Sequence, residues 1–180
     1  MIIGIMGRAG SGKTYVQNTV MHLFDDVLDL DQLGHQLLEN ETIKEKLQKI
    51  FGLEIMNNGG ISREKLGKIV FSCSQQLKKL NHCIHPMMKL EVQEWIKKTR
   101  KGLIVGALIY QMKLEYLCDF IITIDSTTNQ IIKKQPLYKR ILQHQESRQW
   151  YNSHSDFVLT NSWNKSFQLA CLKKITQIIN

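Results

Sequence analysis

The stretch GIMGRAGSGKTY, from Gly4 to Tyr15, places four glycines ahead of a lysine and a threonine. Glycine is costly in a regular element, so such a cluster marks a special backbone path. Within it, Gly7-Arg8-Ala9-Gly10-Ser11-Gly12-Lys13-Thr14 has the spacing G-x-x-x-x-G-K-[ST]. That pattern belongs to a loop that wraps a phosphate with consecutive backbone N–H groups, where side chains must be absent at tight positions. The helix that follows points the positive end of its dipole at the anion. Lys13 adds a point charge for the β- and γ-phosphates, and the Thr14 hydroxyl suits Mg²⁺. Gly10, Ser11, Gly12, Lys13, Thr14 and Tyr15 are therefore the candidate contacts to a nucleoside triphosphate. The rival reading is a glycine-rich turn that only caps a helix. At average residue frequencies a chance match to the full spacing is on the order of 1%, which disfavours it.

A second constellation lies in DVLDLDQLGHQLL, Asp26 to Leu38. Asp29 and Asp31 are two apart at the end of a short predicted strand, so both are expected on one face. The carboxyl end of a strand is where α/β sites form. A carboxylate there either orients and deprotonates an attacking hydroxyl or caps the next helix, and the residues alone leave both open. A third is LNHCIHP, Leu80 to Pro86. Pro86 is expected near a helix start, which biases His85 away from helix and lets its imidazole project from a loop. His85 is either a packed or surface histidine or a substrate contact. The His/Cys cluster has no second ligand pair at zinc spacing.

The elements that must hold these residues alternate. Apolar runs of strand length are Ile2–Met6, Val27–Leu30, Leu103–Tyr110, Phe120–Ile124 and Phe157–Thr160. Continuous apolar runs of this length suit buried parallel strands. Helical patterns cover Thr14–Phe24, Gln32–Leu38, Glu41–Phe51, Ser62–Leu80, Ile84–Lys101, Leu137–His154 and Asn164–Ile179, and Gly52–Ile61 reads as a loop broken by Asn-Gly-Gly. The order predicts an α/β fold with a parallel sheet. The interval Gln32 to Gly102 reads as all helical and is too long for one crossover, so a helical lobe is expected there.

Composition sets the class. A chain of 180 residues, 43% hydrophobic and 22% charged, fits one globular domain. No apolar run approaches the ~20 residues of a membrane span, and the amino terminus lacks the basic region of a secretion signal. Cys73, Cys83, Cys118 and Cys171 have no paired spacing, which reads as reduced thiols in the cytosol. The net charge of +8 calls for an anionic partner. The KKTRK run at Lys97–Lys101 is either a solvated helix end or a ligand contact. With no aromatic–basic recognition motif, a phosphate-rich small molecule is expected rather than nucleic acid.

Taken together, these segments resemble the dephospho-CoA kinases, which phosphorylate the ribose 3′-hydroxyl of dephospho-CoA at the end of CoA synthesis. IIGIMGRAGSGKT resembles the family's opening strand and P-loop, and DLDQLGHQLL its Asp-x-Asp segment. LNHCIHPMM resembles its His-Pro segment, and HQESRQWYNSHSDFVLTNS the approach to its last strand, ending at Asn161. The resemblance implies a P-loop NTPase-type parallel sheet of about five strands flanked by helices, with a helical CoA-binding lobe at about 32–102 and a short lid at about 127–140. It implies ATP with Mg²⁺, Asp31 as base, Lys13 on the donor, His85 at the acceptor, and Lys133, Lys134 and Arg140 in the lid. It departs from the family at the third sheet strand, usually Asp-x-Pro-Leu-Leu-x-Glu, where the chain reads VGALIYQ, with Ala107 and Gln111 at the Pro and Glu places. The lid offers Lys133 and Lys134 where arginines are usual, and looks shortened up to Leu137. Arg8 stands where glycine is usual. The alternatives are another small-molecule or nucleotide P-loop kinase, or a non-catalytic ATP-binding relative.

Overall fold

The structure is a computed structural model that describes residues 1–136 and 138–180. It divides into two compact units, one of Met1–Leu30 with Glu94–Asn180 and one of Asp31–Gln93.

In the first unit β1 (Ile2–Met6) leads through the glycine loop into α1 (Lys13–Val20), then β2 (Asp26–Asp29). After the second unit come β5 (Gly102–Val105), β6 (Phe120–Asp125), α6 (Thr128–Lys134), α7 (Tyr138–Leu142), α8 (Arg148–Ser153), β7 (Phe157–Thr160) and α9 (Lys165–Ile179). The five strands form one sheet in the order β2-β5-β1-β6-β7, and every pairing is parallel. Ile3 and Ile5 point to one face, where they pack with Val16 and Val20 of α1 and Phe167, Cys171 and Ile175 of α9. On the other face, a Cβ at Gly4 would come within 3.0 Å of Cys118 Sγ and 3.3 Å of Ile109. Both faces are covered, which is why β1 reads as an unbroken apolar run.

The expected strand Leu103–Tyr110 ends early, at Val105. Gly106 N–H gives its bond to the Ile5 carbonyl, and the chain then turns, with Met112 N–H on the Leu108 carbonyl. Ile109 and Met112 are fully buried in that turn, so the apolar run serves the core without continuing the ladder. The expected helix Leu137–His154 is two short helices. Ser147 caps the second, its hydroxyl accepting from Trp150 N at 3.1 Å. Leu137 itself lies outside the described residues.

The second unit holds α3 (Glu41–Phe51), a hairpin of β3 (Met56–Asn57) and β4 (Gly60–Ile61), α4 (Arg63–Val70) and most of α5 (Ser74–Lys98). α2 (Leu30–Leu37) begins at the boundary. The expected loop at Gly52–Ile61 is in part this hairpin. Asn58 (φ 48°) and Gly59 (φ 79°) make its turn, as two-residue hairpin turns require. The expected helix Ser62–Leu80 is broken at Phe71–Cys73, although Ser62 does cap α4 by accepting from Lys65 N at 3.3 Å.

Pro86 corrects a second expectation. It lies inside α5, not near a helix start, and His85 is helical. A proline inside a helix costs about 3 kcal/mol. Ile84, Met88 and Val92 are buried on both sides of it along one stripe, each stabilising by about 1.5–3 kcal/mol, and that total exceeds the proline cost.

The four cysteines are free. Burial pushes the Cys118 and Cys171 thiols up to about 12. Neither forms thiolate near neutrality, so iodoacetamide at pH 8 should leave both unmodified in the folded protein and modify both in denaturant. Mass mapping of the alkylated peptides checks this; rapid labelling of Cys171 under native conditions would contradict its burial.

Candidate functional site

The carboxyl ends of β1, β6 and β7 come together around the glycine loop. Gly7 (φ 145°) and Gly12 (φ 105°) take conformations closed to other residues. Space forbids side chains there as well. A Cβ at Gly7 would lie 2.4 Å from the Ile124 carbonyl, and one at Gly12 would lie 2.2 Å from Asn161 Nδ2. Ser11 N–H closes the loop on the Arg8 carbonyl at 3.1 Å. Lys13 is buried, and its Nζ donates to the Gly7 and Arg8 carbonyls at 3.0 and 3.2 Å. An ammonium is thus held against the loop interior. The buried Ser11 Oγ has no hydrogen-bond partner among the described residues. Thr14 and Tyr15 lie exposed on the first turn of α1, and the Tyr15 ring stacks on Phe167. The loop therefore has the open backbone path and the buried cation that an anion-binding cradle asks for.

Asn161 is the residue whose task the sequence does not disclose. It is buried just past β7. Its Nδ2 donates to the Ser11 carbonyl at 2.8 Å and its Oδ1 accepts from Trp163 N at 2.8 Å. One carboxamide thereby fixes the phosphate loop to the loop after the last strand. Trp163 adopts φ 58°, and Lys134 Nζ lies 3.6 Å from its ring centroid, a cation–π contact. Three further partners of the loop also come from far away in sequence. Arg8 reaches the β6–α6 junction, Ala9 N–H donates to Gln145 Oε1 at 2.8 Å, and a Cβ at Gly10 would meet the Tyr138 ring at 2.6 Å. Beneath them Asp125, at the end of β6, accepts from Arg148 Nε at 2.6 Å and Nη2 at 2.5 Å. The Arg148 bonds hold the Asp125 carboxyl below the usual carboxylate range despite burial, so it stays ionised.

On the acceptor side the same-face expectation for Asp29 and Asp31 fails. Asp29 is the last residue of β2, paired with Val105, whereas Asp31 sits in the first turn of α2, exposed, in the second unit. Strand alternation does not carry into a helix. His85 lies mid-helix in α5 with Nε2 buried and unpartnered among the described residues. Burial, and then Lys89, push the His85 pKa down, so its ring is neutral at pH 7. Lys133 and Lys134 form the last turn of α6, and Arg140 lies in α7; all three are exposed.

Among the described residues no group of three or more His, Cys, Asp or Glu side chains could hold a metal ion, and no helix is long and apolar enough to cross a membrane. Mg²⁺ bound with a nucleotide needs no such group. It keeps several waters and takes its other ligands mainly from phosphate. A threonine hydroxyl on the exposed first turn of α1, beside the cradle, fits that demand.

The family model described as CoaE, dephospho-CoA kinase, matches residues 1–166. The dephospho-CoA kinase of Fusobacterium nucleatum subsp. nucleatum is 32% identical over 177 residues, covering 91% of each chain. That of Dehalococcoides mccartyi is 36% identical over 101 residues, 56% of this chain and 51% of its own length. Among solved structures, the dephospho-CoA kinase from Campylobacter jejuni superposes with a TM-score of 0.72 over 98% of this chain and 96% of its own, at 19% identity, which speaks for the fold. The fold around the cradle and the match across nearly the whole length agree: the chain belongs to the dephospho-CoA kinase family.

Proposed function

We propose that Asp31 takes the proton from the ribose 3′-hydroxyl of dephospho-CoA while the loop Gly10–Thr14 holds the phosphates of ATP. Family membership makes the protein a kinase that moves phosphate from ATP to an alcohol, with ATP and dephospho-CoA as its small-molecule substrates. The observation that carries the reading is the cradle itself, with Lys13 buried against it and Asn161 fastening it. Phosphoryl transfer asks the protein mainly for positioning and charge neutralisation. Lys13 and the loop amides neutralise the donor, and the Thr14 hydroxyl would hold Mg²⁺. Bound there, Mg²⁺ would supply positive charge to offset that of the phosphates.

The helical stretch at about 32–102 is the proposed acceptor lobe, with His85 as a neutral acceptor contact. The segment at about 127–140 is the proposed lid, where Lys133, Lys134 and Arg140 face incoming phosphate charge. The cytosol is the proposed compartment, on the strength of four free cysteines.

A coupled ADP assay across acceptors tests the assignment. With ATP and Mg²⁺, dephospho-CoA should give one ADP per CoA formed. ADP release only with a different hydroxyl acceptor would move the chain to another P-loop kinase reaction. No release with any acceptor, alongside intact ATP binding, would make it a non-catalytic ATP-binding relative, a reading that Gln111, Lys133 and Lys134 would then support.

A further inference from the structure

Arg8 sits in the phosphate loop, yet the reading above gives it no task. Its side chain is only 8% exposed. The guanidinium forks, with Nη1 donating to Thr128 Oγ1 at 2.8 Å and Nη2 to the Ser126 carbonyl at 2.6 Å. Both acceptors lie where β6 passes into α6. That junction is itself stiff, because Thr127 and Gln130 close a capping box at the start of α6. Burying a cation is expensive unless it is paired and hydrogen-bonded. Burial does lower the Arg8 pKa, Asp125 opposes that shift, and Arg148 reinforces it.

The far end of α6 is held as well. Lys134 lies over Trp163, Trp163 N–H donates to Asn161, and Asn161 Nδ2 donates to Ser11 of the phosphate loop. A seven-residue helix is thus tied to the phosphate loop at its root through Arg8 and at its tip through Trp163 and Asn161. Between the ties lies about 10 Å of helix, at 1.5 Å per residue.

We propose that Arg8 is a positioning residue for phosphoryl transfer. Its buried guanidinium anchors the root of α6 to the phosphate loop, and so fixes where Lys133 and Lys134 stand relative to the phosphates held by Gly10–Thr14. The proposal rests on the kinase reading above. Arginine suits the task because its planar fork meets two acceptors at a set angle, which a lysine ammonium does not. A base of α6 fixed in advance needs no reordering at the moment of transfer.

The test uses Arg8→Gly and Arg8→Lys in the full chain. A displacement of about 1 Å at a positioning element costs up to about 10²-fold, so kcat should fall roughly 10- to 100-fold in both, with the KM for ATP moving by less than about 3-fold. Low-millimolar guanidinium chloride should restore much of the kcat of Arg8→Gly by refilling the vacated site. It should leave the wild type and Lys13→Ala unchanged. Amide hydrogen exchange gives a readout that needs no acceptor: protection of Gln130–Lys134 should drop in Arg8→Gly and return with guanidinium, while the β1 and β6 amides stay protected. Unchanged exchange in α6, an unchanged kcat, or a kcat loss with global loss of protection and no rescue each overturns the anchoring role. A wild type that turns over no acceptor would instead sink the kinase reading, and α6 exchange alone would then decide for or against the anchor.

Discussion

Lys13→Ala should give a folded protein that binds ATP weakly and transfers almost no phosphate. Lys13 is 8% exposed, and its Nζ bridges the Gly7 and Arg8 carbonyls. Hydrogen bonds to a charged group are worth about 1.5–3 kcal/mol each. Losing the ammonium therefore loosens the loop as well as removing its point charge. Fold stability should be little affected, because Asn161 and the Ser11–Arg8 bond still shape the turn. Removing one preorganised electrostatic donor typically costs about 10²–10³-fold in kcat, and that loss adds to the weaker ATP binding. Calorimetric titration of ATP with Mg²⁺, run beside ADP release, separates the two effects. Equal affinity and turnover in both proteins would take the P-loop out of the mechanism.

What was legible in the sequence follows from how local each signal is. The phosphate loop works through its backbone path, and that path is written in Gly7, Gly10 and Gly12 within eight residues. The sheet was legible because β1, β5 and β6 are covered on both faces and so must be apolar throughout. Apolarity does not say where a ladder stops, so the run from Leu103 was read five residues too long, past Val105. The strands at Met56–Asn57 and Gly60–Ile61 are too short to show any period, although Asn58-Gly59 is a hairpin turn signal in its own right. Pro86 misled because local preference gave way to the buried stripe of Ile84, Met88 and Val92. The fastenings of the loop were least visible. Asn161 to Ser11 spans 150 positions, Ala9 to Gln145 spans 136 and Arg8 to Ser126 spans 118. No spacing rule reaches that far, and only the parallel sheet order, with β6 beside β1 and β7 beside β6, brings those residues together.

Asp31→Asn should leave ATP binding nearly intact and lower turnover by roughly 10²-fold or more, within the range expected for loss of a general base. The substitution keeps the size of the side chain and its first-turn position in α2, so folding is not the issue. What goes is the charge proposed to take the acceptor's proton. The carboxamide still accepts a hydrogen bond but takes up no proton, so the 3′-hydroxyl would be held without being activated. Asp29→Asn is the control. Asp29 closes β2 two residues earlier and in the other compact unit, and its loss should cost less than that of Asp31. Steady-state ADP release with dephospho-CoA, measured beside ATP titration for the three proteins, ranks them. A larger loss for Asp29→Asn would move the base to the strand end, two positions back. Equal turnover in all three would remove both carboxylates from the chemistry and leave positioning by the phosphate loop to account for the rate.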